Sequence, residues 1–199
     1  AVAARRLANP DAKTVAFVGC GVQASSPLAA FLGLFAREQV LAVGRGQANV
    51  ERLCAEASGL GLTAGPASAE TALAEADIVV TSVTLDYSIA PFLDAGLMKP
   101  GAFAAITDLF IPWHAESAAA FDTVVVDDLE QERAAEKPML AAERIGDDLT
   151  GLINRDDLAW RGDARTAFAF RGISLGDYAA AALALPRAEA AGAGQPLRA

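Results

Sequence analysis

The stretch Thr14-Val15-Ala16-Phe17-Val18-Gly19-Cys20-Gly21-Val22-Gln23-Ala24 decides the fold. Its first five residues form an unbroken apolar run, the pattern of a central parallel strand covered on both faces. Gly19 ends the run, and Gly19-x-Gly21-x-x-Ala24 leads into an Ala/Leu-rich helical stretch. Each small residue has a physical reason. The first glycine permits a tight turn, the second admits a close approach to a diphosphate, and the third small residue lets helix pack on strand. The helix start adds free N–H groups and partial positive charge. The backbone of Gly19, Gly21, Val22 and Gln23 is therefore the candidate cradle for a dinucleotide.

Outward from this turn the chain alternates. Apolar strand runs at Gln39–Val43, Leu62–Ala64, Ile78–Val83, Ala102–Thr107 and Thr123–Val126 are separated by helical stretches. Helices are expected from Gly21 to about Arg37, and at Asn49–Ser58, Ser68–Glu75, Pro91–Leu97, Ala115–Ala120 and Leu129–Glu143, the last interrupted near Pro138. Thr166–Arg171 reads as a final strand and Leu175–Ala184 as a helix. This alternation predicts an α/β fold, a Rossmann-type doubly wound parallel sheet with helices on both faces. Residues 13–150 are expected to be the dinucleotide-binding domain. Residues 1–12 read as a helix entering from a preceding domain, 151–185 as a segment returning to it, and 186–199 as a loose tail.

The ends of the strands carry the chemistry, because ligands of open parallel sheets lie outside the carboxyl ends. An NAD site usually carries an acid after the second strand, to hold the ribose 2′-hydroxyl. Here the residues are Gly44-Arg45-Gly46. Arg45 can pair with a 2′-phosphate and stack on adenine, which favours NADP(H) over NAD(H); the alternative is an exposed surface arginine. Thr81, Ser82 and Val83 end the fourth strand and are candidates to line the cofactor near its ribose. Asp108 follows the fifth strand as a candidate acid/base or amine holder, or else a turn cap before Pro112. His114 reads as a loop residue, Asp127-Asp128 as a cap for the next helix, and Asp177 as a cap or domain contact. No metal-ligating, Ser-His-Asp or phosphate-transfer pattern occurs.

Composition narrows the partners. The formal net charge of −9 gives no electrostatic footprint for nucleic acid or an anionic membrane. Cys20 and Cys54 lack metal spacing and are expected to be free thiols in a reducing, cytoplasmic setting. No apolar run has spanning length.

Several stretches taken together resemble the ornithine cyclodeaminase and mu-crystallin family. They are Asn9-Pro10-Asp11 before Gly19–Ala24, Ala76-Asp77 through Thr81, Pro91-Phe92-Leu93, and Lys99-Pro100-Gly101. Val126-Asp127-Asp128 with Glu130-Gln131, Gly146-Asp147, and Phe168-Ala169-Phe170 with Gly172 and Asp177 continue the likeness to about residue 185. The resemblance implies an NAD(P)-binding Rossmann-type domain in a homodimer. The substrate and dimer domain would come mainly from an N-terminal part absent from this sequence. It implies ornithine cyclisation with loss of ammonia, alanine dehydrogenation or ketimine reduction, on a small amino acid or imine. It also implies an NADPH preference through Arg45, as in mu-crystallin-like members, and a catalytic aspartate after the fifth strand. Asp108 matches that aspartate, at a spacing shifted by a couple of residues from the cyclodeaminase pattern. The alternative is a non-catalytic NADP(H)-binding sensor or carrier of mu-crystallin type.

Overall fold

The computed structural model describes residues 1–195. Eight parallel strands form one sheet: β1 (Thr14–Val18), β2 (Gln39–Val43), β3 (Thr63–Pro66), β4 (Ile78–Thr81), β5 (Phe103–Ile106), β6 (Thr123–Val126), β7 (Asp147–Asp148) and β8 (Thr166–Ala169). Their order is β3-β2-β1-β4-β5-β8-β6-β7. The chain winds outward from β1 to β3, then crosses back to lay β4 on the other side of β1. That reversal puts the switch point between β1 and β4, where the carboxyl ends open a crevice.

Alternate residues of each strand serve two cores. Val15, Phe17, Val40, Ile78, Val80 and Phe103 face helices α1 (Val2–Leu7), α2 (Ser25–Leu32), α3 (Gln47–Gly59) and α6 (Leu149–Asn154). Ala16, Val18, Leu41, Val79, Ala104 and Ile106 face α4 (Ala69–Glu75), the short 3-10 turns at Ala95–Leu97 and Ala115–Ala120, and Met139-Leu140. Helices thus cover both faces, as the doubly wound reading requires. The amino ends of β1 and β4 are stapled by Asp77, which accepts the N–H groups of Lys13 and Thr14 (2.8 Å each) and pairs with Lys99.

Several elements differ from the sequence reading. The helix after Gly21 starts as a 3-10 turn at Val22–Ala24 and ends at Gly33, because the N–H groups of Leu34 and Phe35 fold back to the Phe31 carbonyl. Pro91–Leu97 is mostly extended. Phe92 and Leu93 donate to the Pro112 carbonyl at 2.8 Å, which holds the strand-like bridge Leu93–Trp113. Helix α5 (Leu129–Ala134) stops well short of Pro138, since Glu132 turns inward to pair with Arg171. The final strand expected at Thr166–Arg171 is β8, shorter than read, and it is inserted between β5 and β6 in the sheet interior. Helix α7 (Ser174–Ala190) runs through Pro186 where a loose tail was expected. Alanines on both sides favour the helix, and Pro186 sits on an element with no buried residue. Residues 196–199 of that expected tail lie outside the described residues.

Candidate dinucleotide cleft

The turn after β1 is fixed by its neighbours. Gly19 donates its N–H to the Val43 carbonyl at 2.8 Å and accepts from Ser82 Oγ at 3.1 Å. It therefore ties β1 to β2 on one side and to the end of β4 on the other. Its φ is +95°, and a Cβ there would lie 2.4 Å from the Ser82 carbonyl oxygen. No other residue type fits. Gly21 is the reverse case: its φ is −68°, and a Cβ would meet nothing within 4 Å. Packing does not require glycine at this position, which leaves the open space beside it to account for one. Ala24, fully buried, seats the turn against the sheet. Cys20 is packed inward with Sγ 3.4 Å from the Val43 carbonyl, and burial pushes its thiol up to about 11, so it is an inert packing group.

The crevice beyond this turn has a volume of about 590 Å³. Gly19 and Gly21 form its floor, Gly44, Arg45 and Gly46 one wall, and Ser82, Val83 and Thr84 the other. Ile89 and Phe92, from the loop after β4, also line it. The volume is within the range of small-molecule sites. Arg45 is exposed at the rim and forms no ion pair among the described residues. Asp86 lies close enough to feel its charge. Hydrogen bonds from Ser88, and to a smaller degree Arg45, hold the Asp86 carboxyl below its ordinary range.

Asp108 is fully enclosed and does not line the crevice. Oδ1 accepts from Thr81 Oγ1 at 2.9 Å and Oδ2 from the Val83 N–H at 3.0 Å. Trp113 Nε1 donates to the same Thr81 hydroxyl at 3.4 Å. Burial raises the Asp108 carboxyl to about 6, although the Val83 and Thr81 donors pull the other way. Directly after it, Leu109 and Phe110 adopt left-handed backbone (φ 57° and 64°), closed by the Ile111 N–H on the Asp108 carbonyl. For residues with side chains this costs about 1–2 kcal/mol each. Packing of Phe110 on Trp113 (centroids 5.8 Å apart) and Phe121 offsets it.

The family model described as "Ornithine cyclodeaminase/mu-crystallin family" matches residues 1–108, more than half of the 199-residue chain. The chain belongs to that family. A search of curated proteins gives no match. Solved structures do match in fold. Thermococcus litoralis Δ1-pyrroline-2-carboxylate reductase, in complex with NADH and L-proline, superposes with TM-score 0.83 at 21% identity, over 98% of this chain and 64% of its own. An archaeal alanine dehydrogenase dimer with bound NAD gives 0.82 at 23%, over 99% and 64%. A lysine cyclodeaminase, described for its recognition of L-lysine, L-ornithine and L-2,4-diamino butyric acid, gives 0.84 at 24%, over 98% and 58%. The chain thus spans less than two thirds of the length of each of these proteins.

In this member of the ornithine cyclodeaminase/mu-crystallin family, the residues singled out from sequence divide into three groups. Gly19, Gly21, Arg45, Ser82 and Val83 meet in one crevice. Val22 and Gln23 are exposed beside it, in the 3-10 turn that leads into α2. Thr81 and Asp108 lie beneath it, bonded to each other. Elsewhere, Asp128 caps α5 by accepting from the Gln131 N–H at 2.8 Å, and His114 sits part-exposed beyond the crevice. Asp177 is exposed in the first turn of α7. Asn49, Ala67, Ala69, Ile89 and Phe92 also line the crevice and were not read as site residues. They come from two helices, α3 and α4, and from loops whose residue types carry no motif, and only the fold brings them to the same edge.

Proposed function

We propose that this chain is the dinucleotide-binding domain of an NAD(P)-dependent oxidoreductase or cyclodeaminase acting on a small amino acid or cyclic imine, with NADP(H) preferred over NAD(H). The observation that carries the reading is the contrast between the two glycines. Gly19 is required by the protein's own packing, whereas Gly21 faces open space at the switch point of a doubly wound sheet. The Gly21 and Val22 N–H groups would hold the diphosphate, Arg45 the 2′-phosphate, and Ser82, Val83 and Thr84 the ribose. When bound, the nicotinamide cofactor supplies or accepts the hydride. Asp108, by holding Thr81 and Val83, keeps the β4 wall of the crevice in place. The complexes of the T. litoralis reductase with NADH and of the archaeal dehydrogenase with NAD support the class of cofactor. The substrate contacts, the dimer contact and full turnover would need length that the relatives have and this chain does not span.

The test is a titration with NADPH and NADH, repeated on Arg45→Ala. The account expects the parent to bind NADPH more tightly and the variant to lose that preference, by about tenfold or more for a charge-assisted phosphate contact. Equal affinities in the parent would remove the NADP(H) assignment. One observation favours a second reading, a non-catalytic NADP(H) sensor or carrier: the aspartate matched to the family's acid is enclosed. NADPH binding by the complete protein, with no amino acid or imine turned over, would establish that reading instead.

A further inference from the structure

Arg52, on α3, lies more than thirty residues along the chain from the glycine turn but reaches back to it. Its Nη2 donates to the carbonyl oxygens of both Cys20 and Gly21, each at 2.9 Å. Its Nη1 donates to Ser25 Oγ at 3.1 Å and to Glu56 Oε2 at 3.4 Å. Ser25 Oγ in turn donates to the same Glu56 oxygen at 2.8 Å. One planar guanidinium therefore joins the turn, the first residue of α2 and a carboxylate one helical turn further along α3.

Peptide geometry gives this contact a consequence. A trans peptide carries its C=O and N–H on opposite sides. With the Cys20 carbonyl drawn towards Arg52, the Gly21 N–H points away from it. With the Gly21 carbonyl drawn the same way, so does the Val22 N–H. Among the described residues, neither N–H donates to any protein acceptor. Arg52 itself is not part of the crevice lining, whereas Cys20 and Gly21 are. Gly21 has no side chain and free space around it, so its own sterics do not prevent either peptide from flipping. A flipped peptide would turn a carbonyl oxygen towards the diphosphate and repel it.

We propose that Arg52 is a positioning residue for the cofactor diphosphate: by gripping the Cys20 and Gly21 carbonyls it keeps the Gly21 and Val22 N–H groups aimed at the ligand. This rests on the dinucleotide reading above. Affinity then falls by the fraction of chains in which the turn is correctly set. Glu56 and Ser25 hold the guanidinium in register.

The test uses the full chain, with Arg52→Ala and Arg52→Lys beside the parent. NADPH and NADH affinities are measured by titration. The amide NMR shifts of Gly21 and Val22 are followed to saturation with the tighter cofactor. The parent should bind, and both amides should move downfield as they take up charged acceptors. Arg52→Ala should lose about tenfold or more in affinity, with smaller amide shifts at saturation. Arg52→Lys keeps the charge but lacks the planar fork that serves several acceptors at once, so it should recover only part of the loss. Because it disturbs the fold less, it carries the test if the alanine variant does not fold. Unchanged affinity in both variants overturns the proposal. So does a loss of affinity with parent-like amide shifts at saturation, which would make Arg52 a general stabiliser. If the parent binds neither nucleotide, the dinucleotide reading fails and this inference falls with it.

Discussion

Gly19 and Gly21 are the same residue type two positions apart, under opposite constraints. Gly19→Ala places a methyl carbon against the Ser82 carbonyl in a left-handed backbone, and should cost at least about 2 kcal/mol of stability. Gly21→Ala has room for its methyl group. Its thermal midpoint should stay near that of the parent, while dinucleotide affinity falls at least about tenfold as the methyl intrudes on the diphosphate path. Thermal melts and cofactor titrations of the two variants separate the roles. Asp108 gives a pH test. Its carboxyl rises from an ordinary 3.8 to about 6 in the fold, so the folded chain holds that proton more tightly than the unfolded one. The stabilising effect is full below about pH 4 and is lost as pH rises through about 6, a linked change of about 3 kcal/mol. Asp108→Asn cannot ionise, so chemical denaturation at pH 4 and pH 7 should show most of that fall missing in the variant. A parent-like fall would mean that another group titrates. From sequence, Asp108 was visible as a residue but not as a buried one. An acid after an apolar strand reads alike whether it faces ligand or, as here, the Thr81 hydroxyl and the Val83 N–H. Arg52 gave no signal at all, because an arginine on a polar helix face looks like any solvated residue until α3 is laid beside the glycine turn.

At the scale of elements, the sheet holds its register through a few buried polar staples. Asp77 is the clearest. Burial would raise its carboxyl, but Lys99 and the N–H groups of Thr14 and Lys13 together outweigh burial and lower it. A lowered carboxylate stabilises the fold above its unfolded value, and that contribution fades as pH falls through the folded value. Asp77→Ala leaves two strand-end N–H groups and Lys99 without their acceptor, and should cost about 2–3 kcal/mol near neutral pH in urea unfolding. A loss under half a kilocalorie would make the staple incidental. The central strands were legible because continuous Val, Ile and Ala runs suit only a sheet covered on both faces, whereas β7, an Asp-Asp pair, carries no such signal and was not read. The lengths of the helices were less so. Whether α5 continues past Ala134 depends on Arg171, just beyond β8 and nearly forty residues later, drawing Glu132 inward. The extended path of Phe92-Leu93 likewise depends on a carbonyl supplied by Pro112.

Over the whole molecule, one sheet places the candidate contacts at its carboxyl edge, after β1, β2 and β4, while Asp77 staples the amino edge. The alternation of elements called for a doubly wound parallel sheet, but not for the order of its strands, and least of all for the insertion of β8 between β5 and β6. A strand run shows that it pairs, not where. Helix α7 contributes no buried residue and leaves Leu175, Tyr178, Leu183 and Leu185 exposed. Deleting residues 174–199 should therefore shift the thermal midpoint by no more than about 2 °C; a large drop would show that α7 supports the sheet. The central claim, that the turn at residues 19–24 takes a diphosphate on its backbone, is tested most directly by a crystal structure of the chain grown with NADPH. The account predicts diphosphate oxygens about 2.7–3.2 Å from the Gly21 and Val22 nitrogens, with the 2′-phosphate against Arg45. A nucleotide bound elsewhere, or a Gly21 turn still open at saturating NADPH, would contradict it.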